Sequence, residues 1–149
     1  MTEENTENRT ESQDIAEIIK HEREFLNTKI HSYTKTEKEL MVATNLAKLQ
    51  EIFKDLSADN KAVVDKTIES VAFMTVELQD LEKTITANGL IEEYRNGAYQ
   101  KGTKVSSLAN NYNSIKKTYL ADIKFLTALI NFENSPDGAD SLIDFIKSK

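Results

Sequence analysis

The sequence predicts an all-α protein in which two long helices form an antiparallel hairpin, with further helices before them and a small β-hairpin inserted between them. Three observations support this fold class. The chain has 149 residues but one proline and four glycines, which leaves few positions for turns. Its apolar residues recur mainly at steps of three and four positions, as on one face of a helix. Three of the four glycines lie between residues 85 and 130, where the helical pattern is interrupted.

Two helices are predicted before residue 57. Residues 1–12 have no apolar pattern and are predicted to be a disordered tail. Thr34 and Glu37 have the spacing of a capping box, so a second helix is predicted over about 36–56. A first helix over about 13–33 carries one apolar stripe, which contains Ile15, Ile18, Ile19, Phe25, Leu26, Ile30 and Tyr33.

The third helix, predicted over about 58–88, is apolar on two sides. A helix of this kind needs more than one neighbour, and another subunit can supply part of that cover. Gly89 follows Asn88 and is predicted to end the helix in the left-handed conformation. The first side is a coiled-coil-like seam of Val64, Thr67, Val71, Met74, Leu78, Leu81 and Ile85. The second side contains Val63, Ile68, Ala72, Phe73 and Val76.

A β-hairpin is predicted over about 91–101, because Asn96-Gly97 is a strong signal for a two-residue type I′ turn. With that turn, Tyr94 would lie opposite Tyr99 and Glu92 opposite Lys101, which places an aromatic pair and an opposite-charge pair on one face. The alternative is an irregular loop made of the same residues. A lone hairpin is marginally stable in water, so we expect it to pack on the helices or on a neighbouring subunit.

A fourth helix is predicted over about 106–131 and begins at Ser106 or Ser107, which completes a single helical domain over 13–132. Residues 133–149 are predicted to be a linker and a short amphipathic segment. This segment is too short to be stable alone and should dock on its own core or on a partner. We predict that it binds a partner through Leu142, Ile143, Phe145 and Ile146.

The sequence contains no recognisable catalytic or metal-binding pattern, so we expect neither enzymatic activity nor a cofactor. The absence of cysteine excludes disulfides, thiolate metal sites and a thiol nucleophile. His21 and His31 lack the spacing of a helical metal site. Gly97 and Gly102 are spaced as in a phosphate-binding loop, but the lysine and the hydroxyl residue that follow are in reversed order.

The charge of the chain is distributed unevenly. The net charge is −6, but residues 95–124 contain one arginine and five lysines against one aspartate. Such a window can meet phosphate even in an acidic protein, although lysines of this kind can also simply solvate a helix face. The predicted DNA-binding residues are Arg95, Lys101, Lys104, Lys116, Lys117 and Lys124. The competing site lies on the first two helices and contains Lys20, Lys29, Lys35 and Lys38.

Two further expectations concern the N-terminal half and the location of the protein. A helix-turn-helix over residues 14–56 is an alternative mode of DNA binding, but its second helix begins with Glu37 and Glu39, which suit a groove poorly. No apolar run is long enough to span a bilayer, and the acidic first dozen residues are unlike a signal peptide. We therefore expect a protein that remains in the compartment where it is made, without contact with a membrane.

Residues 85–130 combine helix and loop motifs in a distinctive order. They contain a helix ending in Asn88-Gly89, then Ile91-Glu92-Glu93-Tyr94, Asn96-Gly97, Gly102-x-Lys104, Ser106-Ser107, and a helix with Tyr112-Asn113 and Tyr119. This pattern, which covers about a third of the chain, resembles the small terminase subunits of tailed phages of Gram-positive hosts, in particular the helical kind. The family often has a proline just before the last long helix, where this chain has Ser107.

This resemblance implies a non-enzymatic subunit in the host cytoplasm. Small terminase subunits form homo-oligomeric rings, recognise the packaging start on double-stranded phage DNA, and recruit the large terminase subunit, which carries the motor and the nuclease. The alternative from another class is a helical structural adaptor or coiled-coil regulator that does not bind nucleic acid. In that case the aromatic and basic residues between 94 and 124 would contact a protein.

Overall fold

The computed structural model describes residues 12–22, 32–56, 58–132 and 136–149. These residues form five helices and one two-stranded antiparallel sheet. Most of the predicted disordered tail, and the predicted helical residues 23–31, lie outside the described residues. The elements are α1 (12–22), α2 (Lys35–Ile52), α3 (Ala58–Asn88), β1 (Ile91–Asn96), β2 (Gln100–Val105), α4 (Ser107–Phe132) and α5 (Pro136–Lys147).

Helix α2 begins with the predicted capping box. The Thr34 hydroxyl accepts the backbone N–H of Glu37 at 3.1 Å, and the Glu37 carboxylate accepts the backbone N–H of Thr34 at 2.9 Å. The helix ends four residues earlier than predicted, because the chain turns at Phe53, whose backbone N–H still donates to the Leu49 carbonyl. Phe53 is 5% exposed, so this early end directs an aromatic ring into the core.

Helix α3 is the centre of the bundle, as its two apolar sides predict. Helices α2 and α4 both pack along it, and α5 packs on α2 and α4. Val71 of α3, Leu49 of α2 and Leu126 of α4 are fully buried, and each such side chain stabilises the fold by about 1.5–3 kcal/mol. The buried core also contains Phe53, Val64, Ile68, Ala72, Ile130, Leu142 and Phe145.

Helix α5 belongs to this core. Leu142 and Phe145 are 1% and 5% exposed and pack into the same cluster as Leu49 and Leu126. The sequence left open whether the segment docks on its own core or on a partner, and the structure places it on its own core. Helix α5 also begins at Pro136, a position that suits the first turn of a helix because proline has no N–H to leave unpaired.

The predicted β-hairpin is present, but its predicted register is wrong. Asn96 pairs with Gln100, so the turn contains three residues rather than two. Tyr94 lies opposite Gly102 instead of Tyr99, and Glu92 opposite Lys104 instead of Lys101. A Cβ at Gly102 would lie 2.8 Å from the Tyr94 ring, so that ring fills the space that the glycine leaves open. The observed register therefore covers a glycine with an aromatic ring, an arrangement known to stabilise sheets.

The two ends of the hairpin are joined to the helices by backbone hydrogen bonds. Gly89 has a φ of +84° and ends α3, as predicted, with its N–H donating to the Ile85 carbonyl at 2.7 Å. Ser106 donates its N–H to the Leu90 carbonyl at 2.8 Å and accepts the Leu108 N–H on its hydroxyl at 3.1 Å. Ser106 is therefore both the last link of the hairpin and the N-cap of α4. Within the described ranges, no helix is long and apolar enough to cross a lipid bilayer.

Candidate nucleic-acid interface

Three of the six predicted DNA-binding cations lie on the hairpin, and the register divides them between its two faces. Arg95 and Lys101 lie directly opposite each other on one face. Lys104 lies opposite Glu92 on the other face, and its ammonium is 3.8 Å from the Glu92 carboxylate. The charge of Lys104 is therefore partly offset within the hairpin. Arg95 and Lys101 are the two cations of the hairpin whose charges no nearby carboxylate among the described residues offsets in this way.

The hairpin projects from the helical bundle. Its two strands contact each other extensively, and neither makes a comparable contact with a described helix. Ten of its twelve strand residues are exposed, and the half-buried ones are Glu92 and Gly102. Both Arg95 and Lys101 are therefore open to solvent on a β-ribbon. A two-stranded ribbon of this size can enter the major groove of DNA.

The other three predicted cations lie on α4, where two of them point away from the core. Lys117 and Lys124 are exposed and seven residues apart, so they lie on one face, about 10 Å apart along the helix axis. Neither has a carboxylate within 4 Å among the described residues. The same face carries further exposed polar side chains, those of Asn110, Asn113 and Asn131.

Lys116 occupies a different environment from its neighbour. Its ammonium lies 3.3 Å from the Tyr112 hydroxyl and 5.5 Å from the centre of that ring. The Tyr112 hydroxyl in turn donates a hydrogen bond of 2.6 Å to the carboxylate of Glu82 on α3. Lys116 is half-buried and directed towards the α3 side, so it contributes less to an exposed cationic surface than the sequence predicted.

Two of the three described cations of the competing site on the first two helices have carboxylate neighbours. The Lys38 ammonium lies 2.7 Å from the Asp80 carboxylate and 3.1 Å from that of Glu77. Lys35 is exposed and 3.8 Å from Glu39. Lys20 is exposed on α1, and Lys29 lies outside the described residues. Carboxylates therefore bind Lys38 closely and partly offset the charge of Lys35.

No family model, curated protein or solved structure matches the chain.

The sequence did not reveal the buried polar network at the N-terminal end of α2. Asp80 of α3 accepts the backbone N–H groups of Ser32 and Tyr33 at 3.1 and 3.0 Å through one oxygen, and contacts Lys38 through the other. Burial lowers the pKa of the Lys38 ammonium, but its bonds to Asp80 and Glu77 outweigh burial and raise that pKa above its ordinary value. The available signal was a carboxylate four residues after Val76, where it continues the second apolar side of α3. Its role is structural, because it fixes the start of α2 on α3.

The four residues predicted to bind a partner are split by the packing of α5. Leu142 and Phe145 are buried in the core of their own chain, so their side chains are occupied. Ile146 is partly buried against the same cluster, and Ile143 is 45% exposed. Partner binding through α5 stays a prediction, and in this structure it can use the Ile143 side of the helix only.

An apolar groove lies between α2 and α3. It has a volume of about 740 Å³, and Phe73, which is 53% exposed, lies beside Val42 and Leu46. The rim carries charged side chains, those of Lys35, Lys38, Glu39 and Glu77. Such a groove suits an apolar protein surface better than a nucleic acid. Among the described residues, no group of three histidine, aspartate or glutamate side chains is placed to hold a metal ion.

Proposed function

We propose that this chain is a non-enzymatic DNA-packaging subunit of the small terminase kind, which binds double-stranded phage DNA as a homo-oligomer and recruits the large terminase subunit. One observation carries the DNA-binding part. Four of the six predicted cations stand exposed, with no carboxylate partner among the described residues: Arg95, Lys101, Lys117 and Lys124.

The attraction between these cations and DNA is electrostatic. Exposed lysines release condensed counterions when they meet phosphates, and this term supplies most of the non-specific affinity of DNA-binding proteins. Arg95 and Lys101 face each other, an arrangement that is unfavourable unless an anion lies between or beside them. The rest of the chain has a net negative charge, which repels DNA from other surfaces. Oligomerisation multiplies a modest site by avidity, so each copy need contribute few contacts.

The test uses charge reversal on α4, where the backbone is rigid and the side chains are exposed. The variant Lys117→Glu/Lys124→Glu should bind duplex DNA at least tenfold more weakly at low salt. The slope of log K against log salt should become shallower by about two per copy. The matched control is Lys48→Glu/Lys61→Glu, which changes the net charge equally at exposed positions of α2 and α3. It should retain the affinity and most of the slope.

Equal losses in the two double variants would mean that DNA responds only to net charge, and would refute the assigned interface. Unchanged binding in both would refute DNA binding through α4. Circular dichroism checks that both variants keep the helical content of the wild type, which their exposed positions lead us to expect.

A helical adaptor without a nucleic-acid role is the second candidate, and the apolar groove at Val42, Leu46 and Phe73 favours it. An apolar groove of this kind can hold a helix of a protein partner. Native mass spectrometry with and without duplex DNA separates the two functions. A multi-copy assembly that retains DNA supports the packaging subunit, whereas a chain indifferent to DNA supports the adaptor.

A further inference from the structure

Among the described residues, the hairpin has two unpaired edges and little support from the helices. Two-stranded hairpins are marginally stable in water, and unpaired strand edges attract other strands. This one also exposes aliphatic side chains where it leaves the bundle. Leu90, Ile91 and Val105 are 59%, 65% and 58% exposed. A hairpin of this kind needs a neighbour, and the described helices do not supply one.

The hydrogen-bond pattern shows which backbone groups are available to a neighbour. The bond from Ser106 to Leu90 makes these two residues a hydrogen-bonded pair, and such pairs alternate along an antiparallel ladder. The N–H and C=O groups of residues 91, 93 and 95 therefore point outwards from β1. Those of residues 101, 103 and 105 point outwards from β2. Each edge thus presents three residues for pairing.

The two edges carry opposite charges. Strand β1 contains Glu92 and Glu93 with Arg95, whereas β2 contains Lys101 and Lys104 and no acidic residue. Within the hairpin, however, Arg95 and Lys101 lie directly opposite each other, and like charges in that position are destabilising. A carboxylate placed beside Lys101 would relieve this repulsion. The described residues of the same chain place none within 4 Å.

We propose that two copies of this chain join their hairpins edge to edge, with β2 of one copy adding antiparallel to β1 of the next, and Lys101 opposite the partner's Glu93. Both residues belong to the outward-pointing sets, so this register also forms backbone hydrogen bonds. The acidic edge of each copy meets the basic edge of the next, which is a head-to-tail interface that leaves one edge of every copy free for a further copy.

The inference deepens the self-association that the proposed function includes, but it does not depend on DNA. Head-to-tail addition either closes into a ring or continues as a filament, and it uses a different surface from the lysines on α4. Lys101 would then bind a neighbouring copy, so that Arg95 and the lysines of α4 remain for phosphate.

The experiment exploits the head-to-tail geometry by mixing two variants. Glu93→Lys gives a copy with two basic edges. Lys101→Glu gives a copy with a carboxylate at the pairing position of both edges and no net charge on β2. Each alone should need about tenfold higher concentration to self-associate, because attraction at every interface becomes repulsion. An equimolar mixture should recover association close to that of the wild type, since each interface again joins opposite charges. Native mass spectrometry and sedimentation velocity of the full-length chains measure both effects.

The matched control is a mixture of Glu93→Lys with Glu93→Lys/Lys48→Glu/Lys61→Glu, which has the same net charges as the test mixture but two basic hairpin edges on every copy. It should assemble no better than Glu93→Lys alone. A contact within one hairpin cannot produce recovery on mixing, so recovery supports the interface between copies. A monomeric wild type, or recovery equal to that of the control mixture, would overturn the proposal. If the mixture recovers association but the wild type does not bind duplex DNA, the proposed function is refuted and the interface between copies stands.

Discussion

Asp80 is the side chain whose removal should most clearly weaken the attachment of α2 to α3. Asp80→Ala removes the acceptor of two backbone N–H groups, those of Ser32 and Tyr33, and one partner of the Lys38 ammonium. The Asp80 side chain is 5% exposed, so water does not replace it readily. Hydrogen bonds to a charged group contribute about 1.5–3 kcal/mol each, and breaking a buried pair costs about 3–5 kcal/mol.

The expected loss lies at the lower end of the range for buried pairs. Lys38 keeps Glu77 at 3.1 Å, and its side chain is 22% exposed, so the ammonium is not left without a partner. We therefore expect Asp80→Ala to lower the free energy of unfolding by about 3 kcal/mol. Urea unfolding followed by circular dichroism measures this, provided that the m-value stays unchanged.

A double-mutant cycle separates the ion pair from the backbone contacts. Combining Asp80→Ala with Lys38→Met should give a coupling free energy of about 1–2 kcal/mol. The control cycle uses Lys35 and Glu39, a pair 3.8 Å apart with side chains 83% and 66% exposed, whose coupling should stay below about 0.5 kcal/mol. A coupling at Asp80 no larger than this, together with a loss below about 1 kcal/mol, would refute the anchoring role.

Three further predictions concern pH and the C-terminal helix. Burial raises the pKa of the Tyr119 phenol and outweighs the opposing effects of a hydrogen bond with Thr75 and of the charge of Lys116. The pKa of Lys38 is raised by its carboxylate partners despite burial. The stabilisation that each group contributes is complete below its unfolded-state pKa and is lost as the pH rises through its folded-state pKa. The urea midpoint should therefore fall above about pH 10, and it should fall less steeply in Lys38→Met. A midpoint that does not change with pH would contradict this prediction. Leu142→Ala should cost about 2–5 kcal/mol in the same assay because Leu142 is 1% exposed, and a near-neutral result would mean that α5 does not belong to the core. Ile143→Asp should change the free energy of unfolding by less than about 0.5 kcal/mol but weaken capture of the large terminase subunit, the proposed partner. Capture equal to that of the wild type would refute the proposed role of α5 in partner binding.

The features of the fold that the sequence predicted correctly are determined by residues close together in the chain. The capping box needs Thr34 and Glu37 three positions apart, and the end of α3 needs a residue such as Gly89 that adopts positive φ. The two apolar sides of α3 follow from its own periodicity. Each of these is decided within one or two helical turns, so a single sequence contains the necessary information.

The register of the hairpin was missed because it depends on a contact across the strands. Asn96-Gly97 fits a two-residue turn, and local turn preference alone gives no reason to extend it. The three-residue turn prevails because it brings the Tyr94 ring over Gly102 and Lys104 near Glu92. The sequence left open where α5 docks and did not reveal the role of Asp80, since both depend on contacts with residues that are distant in the chain, such as Leu49 for α5 and Ser32 for Asp80.

The candidate interface shows why a cationic window in a sequence is not yet a cationic surface. A sum of charges over residues 95–124 ignores direction, whereas a strand turns alternate side chains to opposite faces and a helix repeats every 3.6 residues. The structure accordingly directs Lys104 to Glu92 and Lys116 towards Tyr112. Arg95 and Lys101 on the hairpin and two lysines on α4 remain exposed to solvent.

The number of exposed cations limits how strongly DNA binding can depend on salt. Four exposed cations per copy can neutralise at most four phosphates, which corresponds to a slope of log K against log salt of about −3.6 per copy on duplex DNA. If Lys101 instead binds the partner's Glu93, three cations remain and the limit becomes about −2.7. The salt slope of the assembled wild type, divided by its copy number, therefore bears on both proposals. A slope per copy steeper than −3.6 would require cations outside these four, and Lys20 on α1 is an exposed residue able to provide one.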